Sequence, residues 1–236
     1  MQVRDRDGIQ VPEASQTVRQ PEGCVVLDSI THLKGDIGGV VVVAGSHCGA
    51  YSAHYALQFQ IGAIILNDAG VGKDRAVVSG LGILGQAGIP AAAISHRSAR
   101  IGDGADSLTR GVISHCNGLA SDLGVTIDMP VCEVMRYLRG SQALPRPKQS
   151  IEREARHSIA IPGASRAVIL TDSASLIGPG DEGAVVVTGS HGALLGARPE
   201  TAMKADVFVA LFNDAGIGAD NAGISRLPAL DARRIA

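Results

Sequence analysis

A short series of signals occurs twice in this chain of 236 residues. Gly45-Ser46-His47 is followed by Asn67-Asp68-Ala69-Gly70-Val71-Gly72, and Gly189-Ser190-His191 by Asn213-Asp214-Ala215-Gly216-Ile217-Gly218. The match extends upstream without a gap, with Asp28-Ser29 against Asp172-Ser173 and the valines 41–43 against 185–187. After a short insertion in the second copy it continues through Asp74, Ala76, Ser79 and Leu81 against Asp220, Ala222, Ser225 and Leu227. Self-similarity of this kind constrains the fold strongly, because each copy must form the same local unit.

Each copy reads as β, β, α, β, α. Residues 24–27 and 40–44 are short apolar runs rich in β-branched side chains, and the second leaves through Gly-Ser-His. Tyr51, Tyr55 and Phe59 recur at helical spacing across residues 50–60, a stripe expected to face the core. Residues 63–66 read as a buried strand ending at Asn67-Asp68, and the glycines beyond it relax a turn into a helix over residues 75–87. Asp74 and Asp220 stand where helix caps are expected. Residues 90–95 form a further strand and residues 106–123 its covering helix.

Strands alternating with helices predict an α/β fold: a mostly parallel, Rossmann-like sheet with helices on both faces, built from an internal duplication. The second copy aligns only as far as Ala236, opposite Pro90, so it is expected to be incomplete. The expected organisation is an N-terminal arm over 1–23, a first α/β repeat with the complete site over 24–142, a linker over 143–160 and a shortened repeat over 161–236. Small apolar residues dominate and aromatics are only 3 %, which suits parallel strands packed under helices.

The formal charge of -2 gives no electrostatic reason to expect nucleic acid or an anionic membrane. Basic residues cluster over 139–153, but Pro145 and Pro147 and the lack of aromatics mark that stretch as a solvated linker. The apolar runs fall short of the ~18 residues a membrane helix requires, and residues 1–23 lack a signal-peptide core, so a cytoplasmic protein is expected. Cys24, Cys48, Cys116 and Cys132 have neither disulfide-framework nor zinc spacing; Gly192 at the place of Cys48 favours a small loop residue over a nucleophile. An uncovered strand edge in the second copy favours a homo-oligomer.

In open parallel sheets, ligands bind beyond the carboxyl ends of the strands. Three polar clusters, at 45–48, 67–74 and 96–103, follow predicted strands and converge if those strands are adjacent. The expected catalytic residues are His47, Asp68 and His96: a histidine moves the proton while Asp68 orients it or ionises. Ser46 and Asn67 would hydrogen-bond the reacting oxygen, with Ser98 beside them; Gly70, Gly72 and Lys73 with Arg100 would hold negative charge on the substrate, and Asp103 is the further substrate-binding residue expected beside Arg100.

Each has a structural alternative. Asn-Asp-Gly is also turn chemistry, Arg100 also suits an ion pair with Asp103, and His47 suits a satisfied framework histidine. No Gly-x-Ser-x-Gly elbow or diagnostic metal spacing is present, and residues 67–73 form neither a Walker loop nor a full G-x-G-x-x-G, so the cofactor is left unassigned. The expected function is a small-molecule enzyme, a hydrolase or other acid/base catalyst acting at a carbonyl of a polar or anionic metabolite. The competing readings are a non-catalytic ligand-binding module or regulatory subunit, and a structural protein with a pseudosymmetric core.

Overall fold

Nine short strands form two mixed, mostly parallel sheets among the described residues. The structure is a computed structural model that describes residues 22–35, 37–141 and 154–236. The arm up to residue 21 and linker residues 142–153, with most of the basic cluster, lie outside the described residues.

The first sheet runs β1 (Cys24–Leu27), β2 (Val41–His47), β3 (Ala63–Asn67), β4 (Ala91–Ile94) and β5 (Ile113–Cys116) in spatial order. Strands β1 to β4 are parallel and β5 is antiparallel to β4. Because neighbours in sequence are neighbours in space, right-handed crossovers place α1 (Ala50–Ala56) and α2 (Gly80–Gln86) together on one face. Helices α3 (Gly104–Arg110), α4 (Gly118–Asp122) and α5 (Val131–Leu138) cover the other.

Side chains alternate accordingly. Val42, Ala44, Ile64 and Leu66 pack under α1 and α2, while Val41, Val43, Ala63 and Ile65 pack under α3 to α5. Both sets are fully buried, which is why these strands read as continuous apolar runs rather than as alternating ones.

The second sheet contains β6 (Arg156–Ile159), β7 (Val168–Thr171), β8 (Val185–His191) and β9 (Val209–Asn213). Strands β7 to β9 repeat the registers of β1 to β3. Val41 lies opposite Ala63 and His47 opposite Asn67; Val185 lies opposite Val209 and His191 opposite Asn213, with the same register shift between. Helix α6 (Leu227–Ala232) and the segment around Met203 cover one face through Ile169, Val186, Met203 and Leu230. Among the described residues no helix covers the opposite face, and Leu170, Val187 and Leu211 are 37 %, 39 % and 49 % exposed.

Three expectations are corrected. The helix expected over 106–123 is interrupted by β5, because Gly111 closes α3 and Ile113 enters the core beside Ile94. The helix expected over 75–87 starts only at Gly80: Asp74 and Arg75 lie at φ 54° and 58°, left-handed values that an α-helix does not admit. Asp74 and Asp220 are therefore not helix caps. Strand β6 lies at the described end of the stretch expected as a linker and pairs antiparallel with β7.

Candidate functional site

The carboxyl ends of β2, β3 and β4 carry the polar clusters, as their parallel order requires. At the end of β3, Asn67 is fully buried and closes an Asx turn: its Oδ1 accepts the Ala69 N–H at 2.8 Å. Its Nδ2 donates to the Ala99 carbonyl at 3.3 Å, tying this turn to the loop after β4.

Asp68 is the most heavily used polar side chain of the site. It is 3 % exposed. Oδ1 accepts from the backbone N–H of Gly70 (3.2 Å) and of His96 (2.9 Å), and lies 2.8 Å from His96 Nδ1. Oδ2 accepts the Ser114 hydroxyl at 2.8 Å, and His115 Nδ1 lies 3.1 Å from the same hydroxyl oxygen. The Nδ1 edge of His96 thus faces the Asp68 carboxylate, and its Nε2 edge faces Gly216, where an added Cβ would lie 3.1 Å away.

Ser114 and His115 were not singled out by the sequence. They lie on β5, and the one signal that could have found them is the Ser-His dipeptide, which also occurs at Ser46-His47. Both line an open cleft of about 790 Å³, with Asp74, Arg75, Ser79 and Asn117 among the other walls. The expected trio is thus only partly assembled: Asp68 and His96 meet, and Ser114 connects them to the cleft.

His47 lies elsewhere, at the joint between the two lobes. Its Nδ1 accepts the Gly49 N–H at 3.1 Å, and burial holds its pKa below the usual histidine value. His191 repeats this bond with Ala193 N–H at 3.2 Å. Burial, with the Arg226 and His47 charges adding to it, pushes His191 down to about 3. Both imidazoles are therefore neutral at physiological pH.

The remaining candidates serve the framework. Ser46 accepts the Ile30 N–H at 2.8 Å, and Ser190 accepts Ala174 N–H at 2.9 Å. Ser98 donates to the Ser95 carbonyl and accepts Val112 N–H. Asp103 caps α3 through the Asp106 N–H. Arg100 is held by Asp103 (3.0 Å) and Asp106 (3.3 Å) and reaches Asp220 of the second lobe at 3.4 Å, where Arg110 also binds at 2.7 Å. Burial of Asp106 pushes its carboxyl up, but the bonds from Arg110 and Arg100 outweigh this and hold it below the usual value. Cys48 is buried next to the site; burial and the Asp68 charge push its thiol up to about 12, which keeps it protonated and unreactive.

Gly70 and Gly72 belong to a left-handed run that includes Val71 at φ 68°, a conformation costly for a β-branched residue. The counterpart Ile217 lies at φ 64°. The two turns touch reciprocally: a Cβ on Gly70 would lie 3.0 Å from Gly216 Cα, and one on Gly216 would lie 3.0 Å from Gly70 Cα. The second turn also clasps His96, whose carbonyl accepts Ala219 N–H at 2.7 Å. Lys73 is exposed and does not reach Asp68 through any hydrogen bond among the described residues.

Among the described residues no group of three or more His, Cys, Asp or Glu side chains is placed to hold a metal ion. No described helix is long and apolar enough to cross a membrane. No protein-family model, curated protein or solved structure matches the chain.

Proposed function

We propose that this chain is an enzyme that performs an acid/base step at a carbonyl of a small polar or anionic metabolite held in the Ser114–His115 cleft. The observation that carries this reading is the continuous hydrogen-bond path from the cleft through Ser114 to Asp68 and on to His96. A proton released in the cleft is taken by Ser114 Oγ as the hydroxyl passes its own proton to Asp68 Oδ2; the reverse transfer returns it to the product. The His96 N–H on Oδ1 orients the carboxylate, His115 orients the hydroxyl, and Arg75 at the cleft wall supplies positive charge for an anionic substrate. In this reading His47 is a framework residue, and hydrolysis is the reaction class to test first.

The test is a metabolite screen by thermal shift, followed by turnover assays on each hit. Ser114→Ala is expected to lower turnover by roughly 10²-fold or more while shifting the melting temperature little. Full turnover in Ser114→Ala would sink the proposal.

A structural reading is favoured by a separate observation: the reciprocal Gly70–Gly216 contact, in which both repeated turns are spent on the joint between lobes. We infer that the lobes descend from one duplicated Rossmann-like unit. Matched strand registers, matched left-handed residues and the paired serine bonds support that descent.

A further inference from the structure

Two histidines meet at the joint between the lobes, and the proton path through Ser114 uses neither of them. His47 stands at the carboxyl end of β2 opposite Asn67, and His191 at the carboxyl end of β8 opposite Asn213. The turns that follow the strands of both sheets pack against each other there, so the strand exits of the two lobes face one joint. Open α/β sheets hold ligands beyond such exits. The charge of His47 reaches His191, which puts the two rings within electrostatic range of each other.

The ring nitrogens have fixed roles. Nδ1 of His47 accepts the Gly49 N–H, and Nδ1 of His191 accepts the Ala193 N–H. A neutral imidazole that accepts at Nδ1 carries its proton on Nε2, so each ring has one N–H left to donate. Neither Nε2 has a hydrogen-bond partner among the described residues. Both rings lie deep between the lobes and still keep part of their surface accessible. Ser141 Oγ is the one fully enclosed side-chain nitrogen or oxygen without a partner among the described residues, so the two Nε2 atoms border space rather than packed carbon. Deeply placed polar groups are matched as a rule, and two related N–H groups at one joint call for an acceptor.

Charge decides what kind of acceptor. Arg226 is buried, donates to the Ala193 and Ala202 carbonyls, and lies 4.9 Å from the centre of the Phe212 ring. It forms no ion pair among the described residues. A buried guanidinium without a carboxylate is costly, and its charge bears on His191. The cluster that closes the joint around it, Ala69, Ile101, Ala193, Ala215 and Ala222, is apolar and supplies no counter-charge. A metal ion does not suit the pair, since it needs a lone pair on Nε2, and the Gly49 and Ala193 N–H groups hold the opposite tautomer. We propose that the joint binds a small carboxylate anion, whose oxygens accept the Nε2–H groups of His47 and His191 and whose charge is balanced by Arg226. This site is separate from the Ser114–His115 cleft, whose walls include none of these residues.

The test uses the full chain with 15N-labelled histidine, titrated with sodium acetate at constant ionic strength and, as a control, with sodium chloride. The Nε2–H resonances of His47 and His191 are expected to move together on one saturable curve in acetate and to stay still in chloride. Arg226→Met should weaken acetate binding roughly tenfold, and Arg226→Lys, which keeps the charge, should weaken it less. In the parent chain, no saturable shift, a shift of one histidine alone, or equal shifts in chloride would each overturn the site. So would Nε2 resonances that carry no proton, or saturable binding of Zn²⁺ at the pair. A shift of His115 in place of His47 and His191 would put the anion in the Ser114 cleft, which overturns this site and leaves the acid/base reading of that cleft standing. An unchanged acetate curve in folded Arg226→Met would overturn the charge assignment.

Discussion

The two lobes place the same residue types at the same register positions and do different things with them. Asp68 is buried and takes four donors, while Asp214, at the same turn, is exposed and is bound to the Gly216 N–H at 2.9 Å. The difference comes from the strands packed beside each turn. β4 and β5 bring His96 and Ser114 against Asp68, and no strand among the described residues does this for Asp214. A repeated motif thus specifies a turn, and neighbouring strands decide whether its aspartate is buried in a hydrogen-bond network.

The largest effect expected from breaking this comparison is at that pair. Asp68→Ala would leave the His96 ring N–H, the His96 amide and the Ser114 hydroxyl without their buried acceptor, at a cost of roughly 3 kcal/mol. Asp214→Ala removes one exposed turn bond and should cost about 0.5 kcal/mol or less. Urea unfolding of the two variants checks the ratio. Equal losses would mean that burial does not separate the lobes.

The histidines of the joint give the next effect. Position 226 holds a buried arginine in the second lobe, and its counterpart in the first is Gly80. Arg226 bonds to the Ala193 carbonyl and places its charge near His191, whereas a Cβ on Gly80 would crowd the Cys48 and Gly49 carbonyls. Both His47 and His191 have folded pKa values below the unfolded value, so the unfolded chain binds more protons as pH falls. Their contribution is complete above about pH 6.5 and is lost as pH falls from there toward the His191 value of about 3. The expected slope is about 1 kcal/mol per pH unit for each histidine within its window. Arg226→Met should raise the His191 pKa and leave His47 nearly unchanged. An NMR titration in which the two move together would remove the asymmetry.

The parallel strands β2 to β4 were legible because both faces are buried and the apolar runs are continuous, and the strand exits then followed from the Gly-Ser-His and Asn-Asp breaks. The meeting of Asp68 with His96 follows from that order alone. Less was legible where a residue's role depends on packing across the chain. Ser114 and His115 were hidden inside an expected helix, since Ile113 to Cys116 is too short to show a period of its own. His47 looked like a site residue because both copies keep a histidine there, yet what His47 shares with His191 is the joint between lobes. Asp220 looked like a cap because a helical pattern begins after it; its partners Arg100 and Arg110 are far upstream in sequence.

The smallest expected effect tests how alike the lobes are where nothing else differs. Ser46 and Ser190 each accept one backbone N–H from the turn that follows the first parallel strand of their lobe, at 2.8 and 2.9 Å. Replacing either by alanine removes the acceptor and leaves that N–H without it, which costs about 1 kcal/mol when the site stays dry. Ser46 is 8 % exposed beneath a sheet covered on both faces, while the sheet around Ser190 is open on one. Water can therefore replace the lost hydroxyl more readily in the second lobe, and Ser190→Ala should cost about half as much as Ser46→Ala. If urea unfolding gives equal costs, the open face does not reach the turn, and the coverage of the two sheets no longer explains how the lobes differ.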